Sequence, residues 1–191
     1  FAIDHAAHYG GDPSRIIVAG ESAGANLALT LALLTCQKRP EPFAKQVFDK
    51  GIVPRAVIPM CGMLQVTDWE RFSRRKPLGK FLIDRLQETS EAYLGHNHAQ
   101  HGQSLDLADP LVMLERGIHT ERPLPPVFAG VGTADPLLDD SRRLGMALTR
   151  LNVPHEIRYY PNEIHAFHAF VFRQAARRCW EDQFAFVDRY L

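Results

Sequence analysis

The stretch that decides the fold is Gly20-Glu21-Ser22-Ala23-Gly24, in which a serine stands between two glycines. The preceding residues, 15–19, are mostly apolar and β-branched, which is typical of a strand buried on both faces of a sheet. Residues 25–34 are rich in Ala and Leu and predict a helix. A sharp strand-to-helix turn exposes a serine hydroxyl at the end of the sheet, and small neighbours are needed because bulky ones would clash with the crowded backbone. We therefore interpret Ser22 as a candidate nucleophile, with an ordinary turn and a capping serine as the alternative.

Length and composition indicate a single globular domain. The chain has 191 residues, of which 46% are hydrophobic and 23% charged, and its formal net charge is zero. Zero net charge provides no overall attraction to nucleic acid or to an anionic membrane. No apolar run approaches the roughly 18 residues of a membrane span. We therefore expect neither nucleic-acid binding nor stable membrane insertion.

The cysteines favour a reducing compartment. Cys36, Cys61 and Cys179 are far apart, and their odd number argues against a disulfide framework. Their spacing also fits no zinc site. We accordingly expect a cytoplasmic location, although any targeting signal could lie upstream, because the sequence begins without Met at what looks like the end of a helix.

Apolar patterns alternate between strands and helices along the chain. Four short apolar segments predict strands, at 15–19, 56–61, 127–131 and 156–160. Helical patterns lie between or after them, at 25–34, 141–151 and 169–190. This order predicts an α/β fold whose parallel sheet is flanked by helices on both faces. The segment at about 65–115 breaks the rhythm, and we expect it to be either a lid or pocket wall over the strand ends or a helical excursion at the sheet edge.

A serine nucleophile requires a base, usually histidine, and a carboxylate that orients the base. Asp135 comes shortly after the strand at 127–131, where active sites of α/β proteins gather. His165 follows the strand at 156–160 through a short loop. These positions predict Ser22 as the nucleophile, Asp135 as the acid and His165 as the base.

Three other residues compete for these roles. Asp139 and Asp140 come later, at the start of the next helix, where Asp140 is typical of a capping or dipole-favoured residue. His168 lies one helical turn after His165, but His165 has the loop position from which an imidazole can swing toward the serine. A turn-forming role is the alternative for Asp135.

Four separated motifs resemble the hormone-sensitive-lipase-like branch of the α/β-hydrolase fold. They are Gly11-Asp12-Pro13-Ser14-Arg15, Gly20-Glu21-Ser22-Ala23-Gly24-Ala25-Asn26-Leu27, Asp135-Pro136-Leu137 and Ile164-His165-Ala166-Phe167. The order Ser, Asp, His along the chain is also the order of that fold. The resemblance implies that Ser22, Asp135 and His165 hydrolyse a small carboxylic ester through an acyl-enzyme. It favours short-chain acyl esters and implies no metal or organic cofactor.

The sequence departs from this family in three places. No upstream His-Gly-Gly-Gly-like loop occurs, so the backbone N–H of Ala23, at a helix N-terminus, is the oxyanion donor that we can assign. Alanines stand at Ala25 and Ala166, where the family often has glycines, and both are small enough to keep the backbone path. The resemblance also implies that the chain is the carboxyl-terminal part of one domain and lacks the amino-terminal strands. The strand at 15–19 would then be a bare apolar edge, and we expect the chain alone to be weakly active or poorly folded.

Other interpretations stay open at this point. His96, His98 and His101 could bind zinc, although a solvated polar loop suits them better. A hydrolase fold without its chemistry would be a ligand-binding protein, but such a protein is expected to lack a triad residue. An amidase or formamidase would use the same triad as an esterase. The oligomeric state is not determined by the sequence, and a homodimer is among the alternatives.

Overall fold

The computed structural model describes residues 1–75, 77–95 and 105–191. Within them lies a four-stranded parallel sheet with the order β1-β2-β3-β4. The strands are β1 (Ile17–Glu21), β2 (Ala56–Met60), β3 (Val127–Gly132) and β4 (His155–Tyr160). The α/β fold with a parallel sheet, predicted from the sequence, is confirmed.

Helices connect the strands and flank the sheet. They are α1 (Ala2–His5), α2 (Ala23–Cys36), α3 (Pro42–Asp49), α4 (Arg71–Arg75), α5 (Lys80–Leu94), α6 (Pro110–Glu115), α7 (Leu138–Arg150) and α8 (Gln174–Val187). Short 3₁₀ turns occupy Ala6–Tyr9, Asp106–Ala108 and Phe167–Ala169. Among the described residues, no helix has the length and apolar character needed to cross a membrane.

Side chains of the central strands β2 and β3 alternate between two apolar layers. Val57, Val127 and Ala129 pack with residues of α2, α6 and α7 in one layer. Ile58 and Phe128 pack with residues of α8 in the other. Both strands are buried along their whole length, as expected of parallel strands covered on two faces.

The prediction that the first strand is buried on both faces is wrong for β1. Ile17 and Val18 are only half-buried and Ala19 is exposed, because β1 pairs with β2 alone within the described residues. A cavity of about 650 Å³, lined mainly by apolar side chains, runs along this edge. The strand also begins at Ile17 rather than at residue 15, since the Arg15 N–H closes a turn to the Asp12 carbonyl.

The helix boundaries differ from the predictions mainly at the carboxyl-terminal helix. Helices α2 and α7 begin a little before the predicted residues 25 and 141. Helix α8 begins at Gln174 rather than at residue 169. The reason is a contact between residues that are 12 positions apart, because the indole N–H of Trp180 donates to the His168 carbonyl and holds a 3₁₀ turn where the helix was predicted to start. Helix α3 was not predicted from the sequence, although Pro42 is a favoured first residue of a helix.

The segment 65–115 contains α4, α5 and α6 and is tied to α2 by a buried polar side chain. Asn26 donates to the carbonyls of Met63 at 3.0 Å and Ala108 at 2.9 Å, and it accepts a hydrogen bond from the Tyr93 hydroxyl at 3.2 Å. Ser90 adds a bond to the Val66 carbonyl at 2.7 Å. These contacts hold α5 above the start of α2. His96, His98 and His101, considered above as a zinc site, lie outside the described residues.

We expect Asn26→Ala to destabilise the fold strongly, because it leaves the carbonyls of Met63 and Ala108 without their side-chain donor. The cost of unsatisfied buried groups predicts a loss of about 2–4 kcal/mol in the free energy of unfolding. Tyr93→Phe removes a single hydrogen bond and should cost about 1 kcal/mol. Urea denaturation of both variants measures the difference, and a larger loss in Tyr93→Phe than in Asn26→Ala would contradict this account.

Candidate active site

Ser22 stands on the turn between β1 and α2 in a strained backbone conformation. Its φ of 56° and ψ of −115° lie where side-chain-bearing residues are rare, and such a conformation costs about 1–3 kcal/mol. Hydrogen bonds hold it there. The Ser22 N–H donates to the Met60 carbonyl at 3.0 Å, and the Ser22 carbonyl accepts from Ala25 and Met63. The turn is therefore fastened to the end of β2.

The two glycines of this turn have different steric environments. A Cβ on Gly20 would lie 2.1 Å from the carbonyl oxygen of Gly24, which no side chain allows. A Cβ on Gly24 would meet nothing within 4 Å. The prediction that bulky neighbours would clash with the backbone is thus confirmed at Gly20 and wrong at Gly24.

Asp135 lies in the turn after β3, with its side chain completely buried. Its Oδ1 accepts the backbone N–H of Leu137 at 2.8 Å, and its Oδ2 lies 2.9 Å from Nδ1 of His165. Both carboxylate oxygens therefore have a partner. The acid and base predicted from the sequence are in hydrogen-bond contact, and the contact is made by the ring nitrogen Nδ1.

Backbone contacts bring the turn after β3 against the loop after β4. A Cβ on Gly132 would lie 1.9 Å from the carbonyl oxygen of Glu163, so this close approach requires glycine. The Ala134 N–H donates to the same carbonyl at 3.0 Å. The Asn162 N–H donates to the Thr133 hydroxyl at 2.8 Å. The two segments that carry Asp135 and His165 are in this way locked together.

The His165 side chain is one-third exposed, and its pKa depends on its charged neighbours. Burial alone would lower the pKa of His165, but the hydrogen bond and charge of Asp135, together with the charge of Glu21, raise it above the ordinary value. The next residue, Ala166, has φ 56° and ψ 24°, a left-handed conformation that favours glycine. The small side chain of alanine makes this conformation tolerable, so the backbone turns although the family's glycine is absent.

Ser22 and His165 line one cavity of about 320 Å³. The other lining residues are mainly apolar and come from the strand ends and from α5; they are Met63, Leu82, Arg85, Leu86, Thr89, Ala134, Pro136, Leu137 and Ile164. Helix α5 belongs to the segment 65–115. From the sequence, this segment was expected to be either a lid or pocket wall over the strand ends or a helical excursion at the sheet edge. Its side chains in this cavity favour the pocket wall.

The competing residues have other partners. Asp140 is fully buried, accepts the Leu64 N–H at 2.8 Å and pairs with Arg71 at 2.5 Å. It lies in the first turn of α7, as predicted, but makes no cap hydrogen bond there, so the capping interpretation is wrong. His168 is buried, and its Nε2 lies 3.1 Å from Glu21 rather than at Asp135. Asp139 also lies in the first turn of α7.

Cys61 is a residue near the site that sequence reasoning missed. Its sulfur and the ligand atoms of Asp135 and His165 all lie within 4.8 Å of one another, a spacing that could hold a metal ion. Burial raises the pKa of Cys61 to about 12, which leaves a neutral thiol and a poor metal ligand. Asp135 and His165 also already bind each other. The signal in the sequence was the position of Cys61 at the carboxyl end of the strand predicted at 56–61, which in the structure ends at Met60.

The comparisons with known proteins define the class. A family model described as the α/β-hydrolase fold matches residues 1–169, and the chain belongs to this family. The resemblance seen in the sequence motifs is confirmed at this level.

Individual relatives carry esterase names. The chain is 30% identical over 167 residues to carboxylesterase NlhH of Mycobacterium tuberculosis, a match that covers 86% of this chain and 47% of that protein. It is similar to the crystal structure of esterase B from Lactobacillus rhamnosis HN001, with a TM-score of 0.72 and 15% identity over 99% of this chain and 57% of that one. It is also similar to an esterase of the bacterial hormone-sensitive lipase family, with a TM-score of 0.70 and 22% identity over 99% and 58%. The structural matches show the fold, and the chain spans about half the length of the curated relatives it matches.

We expect the two glycines of the serine turn to respond differently to alanine. Gly20→Ala forces a Cβ against the Gly24 carbonyl and should lower the free energy of unfolding by about 3 kcal/mol. Gly24→Ala adds a methyl group in open space within α2 and should be neutral or stabilising by up to about 1 kcal/mol. Thermal and urea denaturation of the matched pair check the prediction, which equal effects of the two changes would contradict.

Proposed function

We propose that the chain carries the site of a serine carboxylesterase, with Ser22 as nucleophile, His165 as base and Asp135 as acid. The observation that carries this proposal is the 2.9 Å contact between His165 Nδ1 and Asp135 Oδ2, at the wall of the cavity that Ser22 also lines. The esterase names of the relatives support an ester as the substrate.

The reaction begins when the neutral His165 ring accepts the hydroxyl proton of Ser22 through Nε2, while the serine oxygen bonds to the ester carbonyl carbon. Asp135 accepts the hydrogen bond from Nδ1–H and stabilises the imidazolium that forms. The carbonyl oxygen becomes an oxyanion. The N–H of Ala23, the first residue of α2, has no intrahelical acceptor and can stabilise this charge.

The two products leave in separate steps. The tetrahedral intermediate collapses, its C–O bond to the alcohol breaks, and the leaving alcohol takes the proton from His165. The acyl group stays on Ser22 as an ester. Water then gives a proton to His165 and attacks this ester, and the collapse of the second intermediate returns the serine hydroxyl and frees the carboxylic acid.

The cavity supports a small acyl group. Its volume of about 320 Å³ is near the lower end of ligand pockets, which span roughly 300–1,000 Å³. Met63, Leu86 and Leu137 make its walls largely apolar. A short, uncharged acyl chain suits both its size and its lining, and α5 would limit longer chains.

Ser22→Ala should abolish the hydrolysis of p-nitrophenyl acetate, because the proposed acyl acceptor is gone. Asp135→Asn should lower kcat about 10⁴-fold, as for the acid of a protease triad. Asp139→Asn is the matched control, a nearby carboxylate that is not the partner of His165, and should keep a rate close to wild type. Initial rates at saturating ester measure all three.

Three outcomes would contradict the proposed function. A higher kcat/KM on a matched anilide than on the ester would indicate an amidase. Ester binding without any turnover that depends on Ser22 would indicate a ligand-binding protein. Near-normal rates in Asp135→Asn would show that Asp135 is not the acid, and Asp139 and Asp140 would then become the candidates for that role.

The pH dependence of kcat/KM should reflect the raised pKa of His165. The base must be neutral to accept a proton, so activity is lost as the pH falls through this pKa, and the acid limb should lie above the ordinary histidine value of about 6.5. Asp135→Asn removes the main cause of the increase and should move the limb to lower pH in the residual activity. A wild-type limb well below pH 6 would contradict this assignment.

A further inference from the structure

A second imidazole–carboxylate pair, His168 and Glu21, lies beside the pair formed by Asp135 and His165. His168 Nε2 is 3.1 Å from Oε2 of Glu21, and the His168 side chain is only 6% exposed. Glu21 directly precedes Ser22, and His168 follows His165 in the same loop. The pair therefore joins the strand end that carries the proposed nucleophile to the loop that carries the proposed base.

The other ring nitrogen of His168 faces Cys61, which follows the neighbouring strand β2. His168 Nδ1 and Cys61 Sγ are 3.9 Å apart. The sulfur in turn lies within 4.8 Å of the ligand atoms of Asp135 and His165. His168, Cys61 and Glu21 thus form a layer beside the acid and the base.

His168 is also held from the side of α8. The Trp180 indole N–H donates to the His168 carbonyl at 3.0 Å, and the two rings meet edge to face at 6.0 Å. The ring of Phe167, which is fully buried, packs against His168 in the same manner at 5.8 Å. A side chain packed on several sides has little rotamer freedom, so the His168 ring can hold the Glu21 carboxylate in one place.

We propose that His168 is a positioning residue for the hydrolysis, and that its bond to Glu21 sets the position of Ser22 relative to His165 across the cavity that both residues line. This inference rests on the proposed function. Asp135 ties the His165 ring to the end of β3, whereas the His168–Glu21 bond ties the same loop to β1, on which Ser22 depends. A misplacement of about 1 Å between reacting groups can cost about 10²-fold in rate, so this tie has a measurable consequence.

The Glu21 carboxylate also acts on His165 through its charge. The titratable groups around this layer are Glu21 on β1, Cys61 after β2, the Asp135–His165 pair and, on α8, Cys179, which packs in the same apolar layer as Cys61. Trp180, the α8 residue that contacts His168, does not titrate. Burial lowers the pKa of His165, Asp135 raises it, and the charge of Glu21 raises it further. Removing the Glu21 charge should therefore lower the pKa of His165 and move the acid limb of kcat/KM to lower pH.

The first experiment compares His168→Phe with His168→Gln in the full chain. Phenylalanine keeps an aromatic ring beside Trp180 but cannot bond to Glu21, whereas a glutamine amide can still donate to it. We expect kcat for p-nitrophenyl acetate to fall about 10- to 100-fold in His168→Phe with KM within about twofold, and His168→Gln to recover most of the loss. His119→Phe changes an exposed histidine and should retain wild-type kcat.

A double-mutant cycle tests whether His168 and Glu21 act through the bond between them. At a pH above the acid limb, Glu21→Ala should lower kcat as much as His168→Phe, and the double variant should be no worse than either single variant. Glu21 is partly exposed, so Glu21→Ala breaks the same bond even where His168→Phe fails to fold. Additive losses in the double variant, or wild-type kcat in either single variant, would overturn the proposal.

A measurement independent of turnover separates this inference from the proposed function. In an NMR titration of the imidazole signals, the pKa of His165 should fall in Glu21→Gln and stay at the wild-type value in His119→Phe. An unchanged pKa in Glu21→Gln counts against the coupling of Glu21 to the base. Failure of the proposed function appears differently, as ester turnover that survives Ser22→Ala.

Discussion

The close approach of Gly132 to the Glu163 carbonyl is the constraint on which the site depends. A Cβ on residue 132 would lie only 1.9 Å from this oxygen. Any side chain at that position would therefore push apart the turn after β3 and the loop after β4. These two segments follow adjacent parallel strands, and a backbone hydrogen bond from Ala134 closes them on each other. Asp135 and His165, 30 residues apart in sequence, then meet through a hydrogen bond.

Backbone strain is concentrated around the same place. Among the described residues, five that are not glycine have positive φ, and four of them, Ser22, Cys61, Asn162 and Ala166, belong to segments that follow β1, β2 and β4 at the site. Each such residue costs of order 1–3 kcal/mol unless its surroundings favour the conformation. The buried strands β2 and β3 and the apolar layers beside them provide the rigid support against which these turns are held. The local strain occurs in three of the chain segments that meet at the site.

Local signals predicted much of this arrangement. Apolar runs marked the strands, Ala and Leu marked α2, and polar residues shortly after strands marked Ser22, Asp135 and His165 as candidates. The predictions failed where distant contacts set the outcome. Helix α8 starts late because Trp180 holds the carbonyl of His168. Asp140 lies in the first turn of α7, where the helix dipole favours it, but the capping alternative failed because its partners, Arg71 and the Leu64 N–H, are remote in sequence.

The sequence by itself determined the class of fold, the strand–turn–helix unit around Ser22 and the order in which the candidate residues occur. These properties depend on backbone preferences and apolar periodicity, and both are set by residues that lie close together in the sequence. Only the tertiary structure decided that His165 contacts Asp135 while His168 contacts Glu21, and that α5 lines the cavity beside Ser22. Such contacts join atoms whose separation is set by strand register and by the close approach of remote backbones, and no local pattern encodes that distance.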